Sequence, residues 1–219
     1  MWNSQVIIML LEGIRDTLYM TLASTLFGYI IGLPMGIVLT VTDKDGIRPN
    51  AAVYKVLDVI SNLLRSIPFI ILLIVLIPFT RFVVGRSYGS TATIVPLTIA
   101  AAPYIARMVE SSLKEVDAGV IEAARSMGAS DFQIVTKVML VEARTSLIVG
   151  ATISLGTILG YSAMAGTVGG GGLGDIAIRY GYTRWQTDIM VVTVVLLVIL
   201  FQIFQTIGMK LANRLDRRK

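Results

Sequence analysis

Residues 17–42 read TLYMTLASTLFGYIIGLPMGIVLTVT, 26 positions without a charge between Asp16 and Asp43. A helix needs about 20 apolar residues to cross a bilayer, so this stretch predicts a transmembrane helix with room to tilt. Working outward, charges again mark where apolar runs end. A second span is expected over 59–80, interrupted by Arg65, Pro68 and Pro78, with only 15 uncharged residues from Ser66 to Thr80. A third lies at 88–106, a fourth at 145–166 and a fifth at 189–209. The four-glycine run Gly169–Gly172 after the fourth span suits a flexible or tightly turned loop better than a helix.

Composition agrees with an all-α polytopic membrane protein of five transmembrane helices. Hydrophobic residues make up 55% of the 219 and charged residues 15%, well to the apolar side of a soluble domain. There is no cysteine and no histidine, which excludes thiolate and imidazole metal sites, a cysteine nucleophile, a histidine base and disulfides. No G-x-x-x-x-G-K-[ST] loop and no H-E-x-x-H motif is present. The chain is therefore expected to be a single non-catalytic membrane domain over 1–219, with no metal and no cofactor of its own. Its net charge of +5 is read as cytoplasmic loops facing anionic lipid, not as a nucleic-acid surface.

No basic residue precedes the short apolar run Val6–Leu11, and Glu12 follows it, so the first span is expected to be an uncleaved anchor. The positive-inside rule then orients the chain. With the N-terminus outside, inner segments carry 13 Lys and Arg against 5 outside, Arg65 being left aside as intramembrane. The C-terminus is thus expected in the cytoplasm. Ser24, Gly28, Gly32 and Gly36 recur every four residues in the first span, a small-residue stripe for close helix packing.

One polar segment of size remains, residues 107–144, placed inside the cell by that orientation. Asp117 can cap a helix over Ala118–Met127, and Gly128 can stop it. Ser130, with Gln133 three positions on, can open a second helix with a capping box. Two short amphipathic helices hinged at Gly128 follow. Their apolar faces must find the membrane surface, the chain's own spans, or a groove on another protein, and periodicity does not choose among these.

The run Glu122-Ala123-Ala124-Arg125-Ser126-Met127-Gly128, followed by Val138-Met139-Leu140, resembles the EAA loop of permease subunits of bacterial ATP-binding-cassette importers. That motif is EAA, three residues, Gly, nine residues, then Ile-x-Leu-Pro; here Val138 takes the isoleucine position and Val141 the proline position. Arg65-Ser66-Ile67-Pro68, Ala102-Pro103-Tyr104-Ile105-Ala106-Arg107, and Gly160-Tyr161-Ser162-Ala163-Met164 with the glycine run resemble the methionine-importing members over nearly the whole chain.

The resemblance implies a coupling helix between the third and fourth spans that sits in a groove of a cytoplasmic ATPase. Glu122, Ala123, Ala124 and Gly128 would carry the ATPase coupling: a polar anchor, two small residues that let the helix enter the groove, and a bend. It also implies two ATPase subunits holding ATP and Mg, an extracytoplasmic solute-binding protein, and a second copy of this chain to complete the solute path. The cargo would be L-methionine and also D-methionine; another amino acid or a small peptide on the same machinery, or a passive channel or scaffold, stay open as alternatives. Arg65, Ser162 and Met164 are candidates for a gate or solute path. An unbranched thioether can seal and open an apolar constriction, though Met is also a routine gap-filler. Arg65 is either an intramembrane charge or one that snorkels.

Overall fold

The computed structural model describes residues 4–215; Arg217, Arg218 and Lys219, counted above among the inner charges, lie outside the described residues. Among these the chain is helical, with no strand. Helix α1 spans Ser4–Thr42, 39 residues, or about 58 Å at the usual rise. It takes in the apolar run that precedes the expected first span. Helices α2 (Ala51–Ser66), α3 (Phe69–Val75) and α4 (Ile77–Val84) occupy and flank the expected second span. The chain bends by 101° between α2 and α3, at Pro68, which lacks the N–H needed to continue a helix. Helix α5 spans Ser90–Lys114, α6 Ala118–Ser126, α7 Asp131–Gln133 and α8 Leu140–Glu142, the last two joined by a π-helical stretch, Ile134–Met139. Helix α9 spans Arg144–Ala165, α10 Gly172–Ile176 and α11 Thr187–Leu215, with a 3₁₀ turn at Gly166–Val168 and a π-helical stretch at Ala177–Tyr182.

By length and composition α1, α5, α9 and α11 can each cross a membrane; α2 and α3 are apolar enough together to count as a fifth only if the bent pair is one broken span and not a re-entrant loop. These helices differ in enclosure. The most apolar stretch of α5 is 67% buried, while that of α11 is 17% buried, so α5 is the most enclosed of them and α11 leaves most of its apolar side chains uncovered. In a bilayer such a face needs no cover from water.

The described chain divides into two compact units. One comprises residues up to Phe27, Ile67–Ala101 and Leu155–Gln205. Its core gathers Leu10, Leu173, Ile176 and Ile189, with Val6, Met9 and Ile14 packed against them. The early apolar run is thus part of the fold. Phe69 stacks on Tyr161, ring centroids 4.6 Å apart, which fixes the start of α3 against α9. The 169–174 region is packed into this unit and α10 begins within the glycine run: Gly170, Gly172, Leu173 and Gly174 are buried. A β-carbon on Gly174 would run into the backbone of Ala163, and one on Gly166 into that of Gly174 and Asp175. Thr17 Oγ1 accepts from the Leu173 N–H at 2.9 Å and donates to the Gly13 carbonyl at 2.8 Å, which satisfies a donor that has no helical partner.

The other unit comprises Gly28–Ser66, Ala102–Ser154 and the residues from Thr206 onward. Here the small-residue stripe of α1 meets α5. Added β-carbons at Gly32 and Gly36 would lie 2.6 and 2.5 Å from the carbonyl oxygens of Ala102 and Ala106. In the first unit Ser24, on the same stripe, is buried and donates to the Ile94 carbonyl at 3.5 Å.

Candidate functional site

The segment from Asp117 to Glu142 follows the expected local chemistry closely. Asp117 accepts from the Gly119 N–H at 2.8 Å and caps α6. Ser130 and Gln133 form a reciprocal capping box, the Ser130 N–H donating to Gln133 Oε1 at 2.8 Å and the Gln133 N–H to Ser130 Oγ at 3.4 Å. Between them Gly128 has φ of +83°, with nothing within 4 Å of an added β-carbon. An L-residue resists that conformation, glycine does not.

Not all of the expected apolar face is covered. Ala124 is buried at 5%, whereas Val120 is 42%, Met127 82% and Phe132 77% exposed. Glu122 and Ala123 are exposed as well. Ala124 and Ile134, the latter fully buried, are turned inward, while Met127 and Phe132 lie exposed on either side of the bend. Val141, where the motif would have proline, lets the chain stay helical to Glu142, with one turn residue, Ala143, before α9.

Ionic contacts fix the surroundings. Arg107 pairs with Asp58 and, at 2.7 Å, with Glu110; Lys114 pairs with Glu110 at 2.8 Å and Asp43 at 2.6 Å. Tyr54 donates to Glu110 Oε1 at 3.3 Å. Glu110 is 5% exposed, and a carboxylate so buried is tolerable because cations and a hydroxyl meet it on both oxygens. The hydrogen bond from Lys114 holds the Asp43 carboxyl below the usual carboxylate range. Arg125 donates to the Ile47 carbonyl at 3.0 Å, and Arg48 pairs with Asp131 at 2.7 Å. Apart from the contacts of Glu110 with Arg107 and Lys114, which fall at helical spacing along α5, these partners lie 49 to 83 positions apart in sequence, and no local spacing announces them.

Arg65 is exposed in the last turn of α2, a position that suits a cation at a helix C-terminus. Ser162 is 1% exposed and donates to the Leu159 carbonyl at 2.7 Å, so its hydroxyl is committed within α9. Met164, two residues on, is 51% exposed. Among the described residues no group of three or more acidic side chains is placed to hold a metal.

Several helices long and apolar enough to cross a membrane, with one structured polar segment between α5 and α9, define a multi-pass membrane protein. Residues 19–219 match the family described as the binding-protein-dependent transport system inner membrane component, and the chain belongs to that family. Over 210 residues, 96% of this chain and 93% of the relative, it is 49% identical to the probable D-methionine transport system permease protein MetI of Vibrio cholerae. Over 158 residues, 72% and 73% of the two chains, it is 54% identical to the D-methionine transport system permease protein MetI of Escherichia coli strain K12. A chain of the MetNI methionine ABC transporter, solved in inward-facing conformations, superposes with a TM-score of 0.97 at 49% identity, covering 99% of this chain and 100% of that one. A chain of an amino acid ABC transporter, at 20% identity and a TM-score of 0.78, covering 96% and 95%, shares the fold. This chain is thus a non-catalytic, multi-pass inner-membrane permease component of the ABC importer class, in which the ATPase is a separate chain.

Proposed function

We propose that this chain forms the membrane path of an ATP-driven importer of methionine, in its L and D forms, powered by two copies of a cytoplasmic ATPase that binds ATP and Mg. One observation carries the coupling part of the reading: Met127 and Phe132, 82% and 77% exposed, flank the rigid bend at Gly128 on a segment otherwise capped and anchored. Large apolar side chains held out from an ordered polar segment suit a groove on another soluble protein. The cargo rests on the near-half identity to permeases named for D-methionine and on the fit to the methionine transporter chain.

In this reading Glu122 and Ala123 face the ATPase groove, Ala124 anchors α6 to its own unit, and Gly128 makes the bend. Residues 107–144 are cytoplasmic, the spans lie near 17–42, 59–80, 88–106, 145–166 and 189–209, and the N-terminus is outside, as the 13-to-5 distribution of basic residues favours. Five spans fill their own interior with side chains, so the solute path lies where two copies meet around a twofold axis. Met164, exposed on α9, is the better candidate for that path; Ser162, with its hydroxyl bonded inside α9, supports the helix; Arg65 stands at a helix end where a solute carboxylate can reach it. Closure of the ATPase pair on ATP moves the coupling helices together and opens the path outward, and hydrolysis resets it. An external solute-binding protein, which the family's description names as a requirement, delivers the amino acid.

Co-purification from native cells in mild detergent, followed by reconstitution, tests the whole. A stoichiometric ATPase, two copies of this chain, and ATP-dependent uptake of labelled methionine suppressed by excess unlabelled L- or D-methionine are expected. Recovery of the chain without an ATPase would overturn the importer reading. Uptake indifferent to excess methionine would overturn the cargo.

A further inference from the structure

The loop between α1 and α2, residues 43–50, is folded back on the helix it leaves. The Gly46 N–H donates to the Asp43 carbonyl at 2.9 Å, that of Arg48 to Val41 at 3.0 Å, and that of Asn50 to Thr42 at 2.9 Å. At its far end Asn50 Oδ1 accepts from the Val53 N–H at 3.1 Å and so caps α2. The loop is therefore a rigid extension of α1 joined directly to the start of α2. A force on it reaches both helices.

Two contacts apply that force. Arg125, inside the motif of α6, donates to the Ile47 carbonyl at 3.0 Å, and Asp131, the first residue of α7, pairs with Arg48 at 2.7 Å. Each of the two short helices thus holds one of two consecutive loop residues. An open cleft of about 440 Å³ is lined on one side by Asp45, Gly46 and Ile47 of the loop and on the other by Ile121 and Glu122 of α6. An exposed ion pair adds little to stability, and Arg48 is 81% exposed, so the straps are better suited to fixing position than to holding the fold together.

We infer that the α1–α2 loop is the receiving end of the short-helix segment, and that Arg125 and the Arg48–Asp131 pair are positioning residues that pass the displacement of α6 and α7 into α1 and α2. The inference rests on the importer reading of the segment. It adds a second contact point, inside this chain, to the one made with the ATPase.

The test uses the complete transporter in proteoliposomes and reads methionine taken up per ATP hydrolysed. Arg48→Asp and Asp131→Arg singly, and Arg125→Ala, are each expected to lower that ratio about fivefold or more, the low end of ordinary coupling between sites. The double variant Arg48→Asp/Asp131→Arg restores the pair in reverse and is expected to return within about twofold of the parent. Single variants with the parent's ratio, or a double variant no better than the singles, overturn the inference. Because the chain has no cysteine, Arg48→Cys/Asp131→Cys supplies a second readout independent of charge. A short bifunctional thiol reagent should bridge the two positions and leave transport running, since they move together; a bridge that stops transport, or no bridge at all, overturns the inference. Gly128→Val separates the two readings. If it leaves uptake per ATP intact, the coupling role of the whole segment fails; if it lowers the ratio while the strap variants do not, only the straps fail.

Discussion

At Gly174 a β-carbon would run into the backbone of Ala163, whereas at Gly128 it would meet nothing within 4 Å. Gly174 sits among buried neighbours, Leu173 and Ile176, in a segment tied down by Thr17. Gly128 sits between two exposed apolar side chains, Met127 and Phe132, in a segment whose helices are capped by their own residues. The first region uses glycine for the volume it lacks and the second for the φ it permits. Two glycines, one inside α10 and one at a helix stop, thus have opposite sensitivities. In the first, damage is expected to fall on folding. In the second it is expected to fall on what the segment does to a partner.

The sharpest way to break this contrast is Gly174→Ala. One methyl group forced into backbone should cost several kcal/mol, beyond the usual 1–3 for overpacking because the neighbour is main chain, and size-exclusion of the detergent-solubilised protein should find little folded material. Next, Thr17→Val should leave the buried Leu173 N–H without its acceptor and cost about 1–3 kcal/mol, read as a lower thermal midpoint. Gly128→Ala should cost only about 1 kcal/mol and leave a folded protein. Its signature is instead a fall in methionine uptake per ATP, and a normal ratio would erase the distinction between the two regions. Ser130→Ala removes one half of the capping box, for about 1 kcal/mol or less, with a smaller loss of coupling than at Gly128.

The smallest effect concerns pH. The carboxyl of Asp43 is held low by Lys114, so its stabilising contribution is complete above the ordinary carboxylate value and is lost only as pH falls through the lowered one. Stability profiles of the parent and Asp43→Asn should therefore differ at neutral pH and converge in strong acid. Convergence already near pH 5 would mean that the Lys114 contact is absent in solution.

Much of the molecule was legible from local pattern. Uncharged runs of membrane length, the Asp117 cap, the Ser130–Gln133 box and the stop at Gly128 depend on residues within a few positions of one another, and periodicity and capping chemistry operate at that range. So does the break at Pro68, where a missing N–H is visible in the residue itself. The length of α1 was less legible, because its first turns are stabilised by Leu173, Ile176 and Ile189, partners more than 150 residues away.

The same distance rule separates the candidate site into two parts. The motif residues Glu122 to Gly128 could be picked out as a string, but Arg125 gained a specific role only when Ile47 arrived beside it, and Asp131 when Arg48 did. Ser162 and Met164, neighbours in sequence, parted company because residues two apart on a helix point to different faces, one into the core and one out of it. Chain composition and short-range hydrogen bonding settle which segments are helical and where they stop, since those energies are local. Which glycines are crowded, which charges find partners and which apolar side chains stay uncovered are set by long-range packing, because each depends on atoms that only the folded chain brings within a few ångströms.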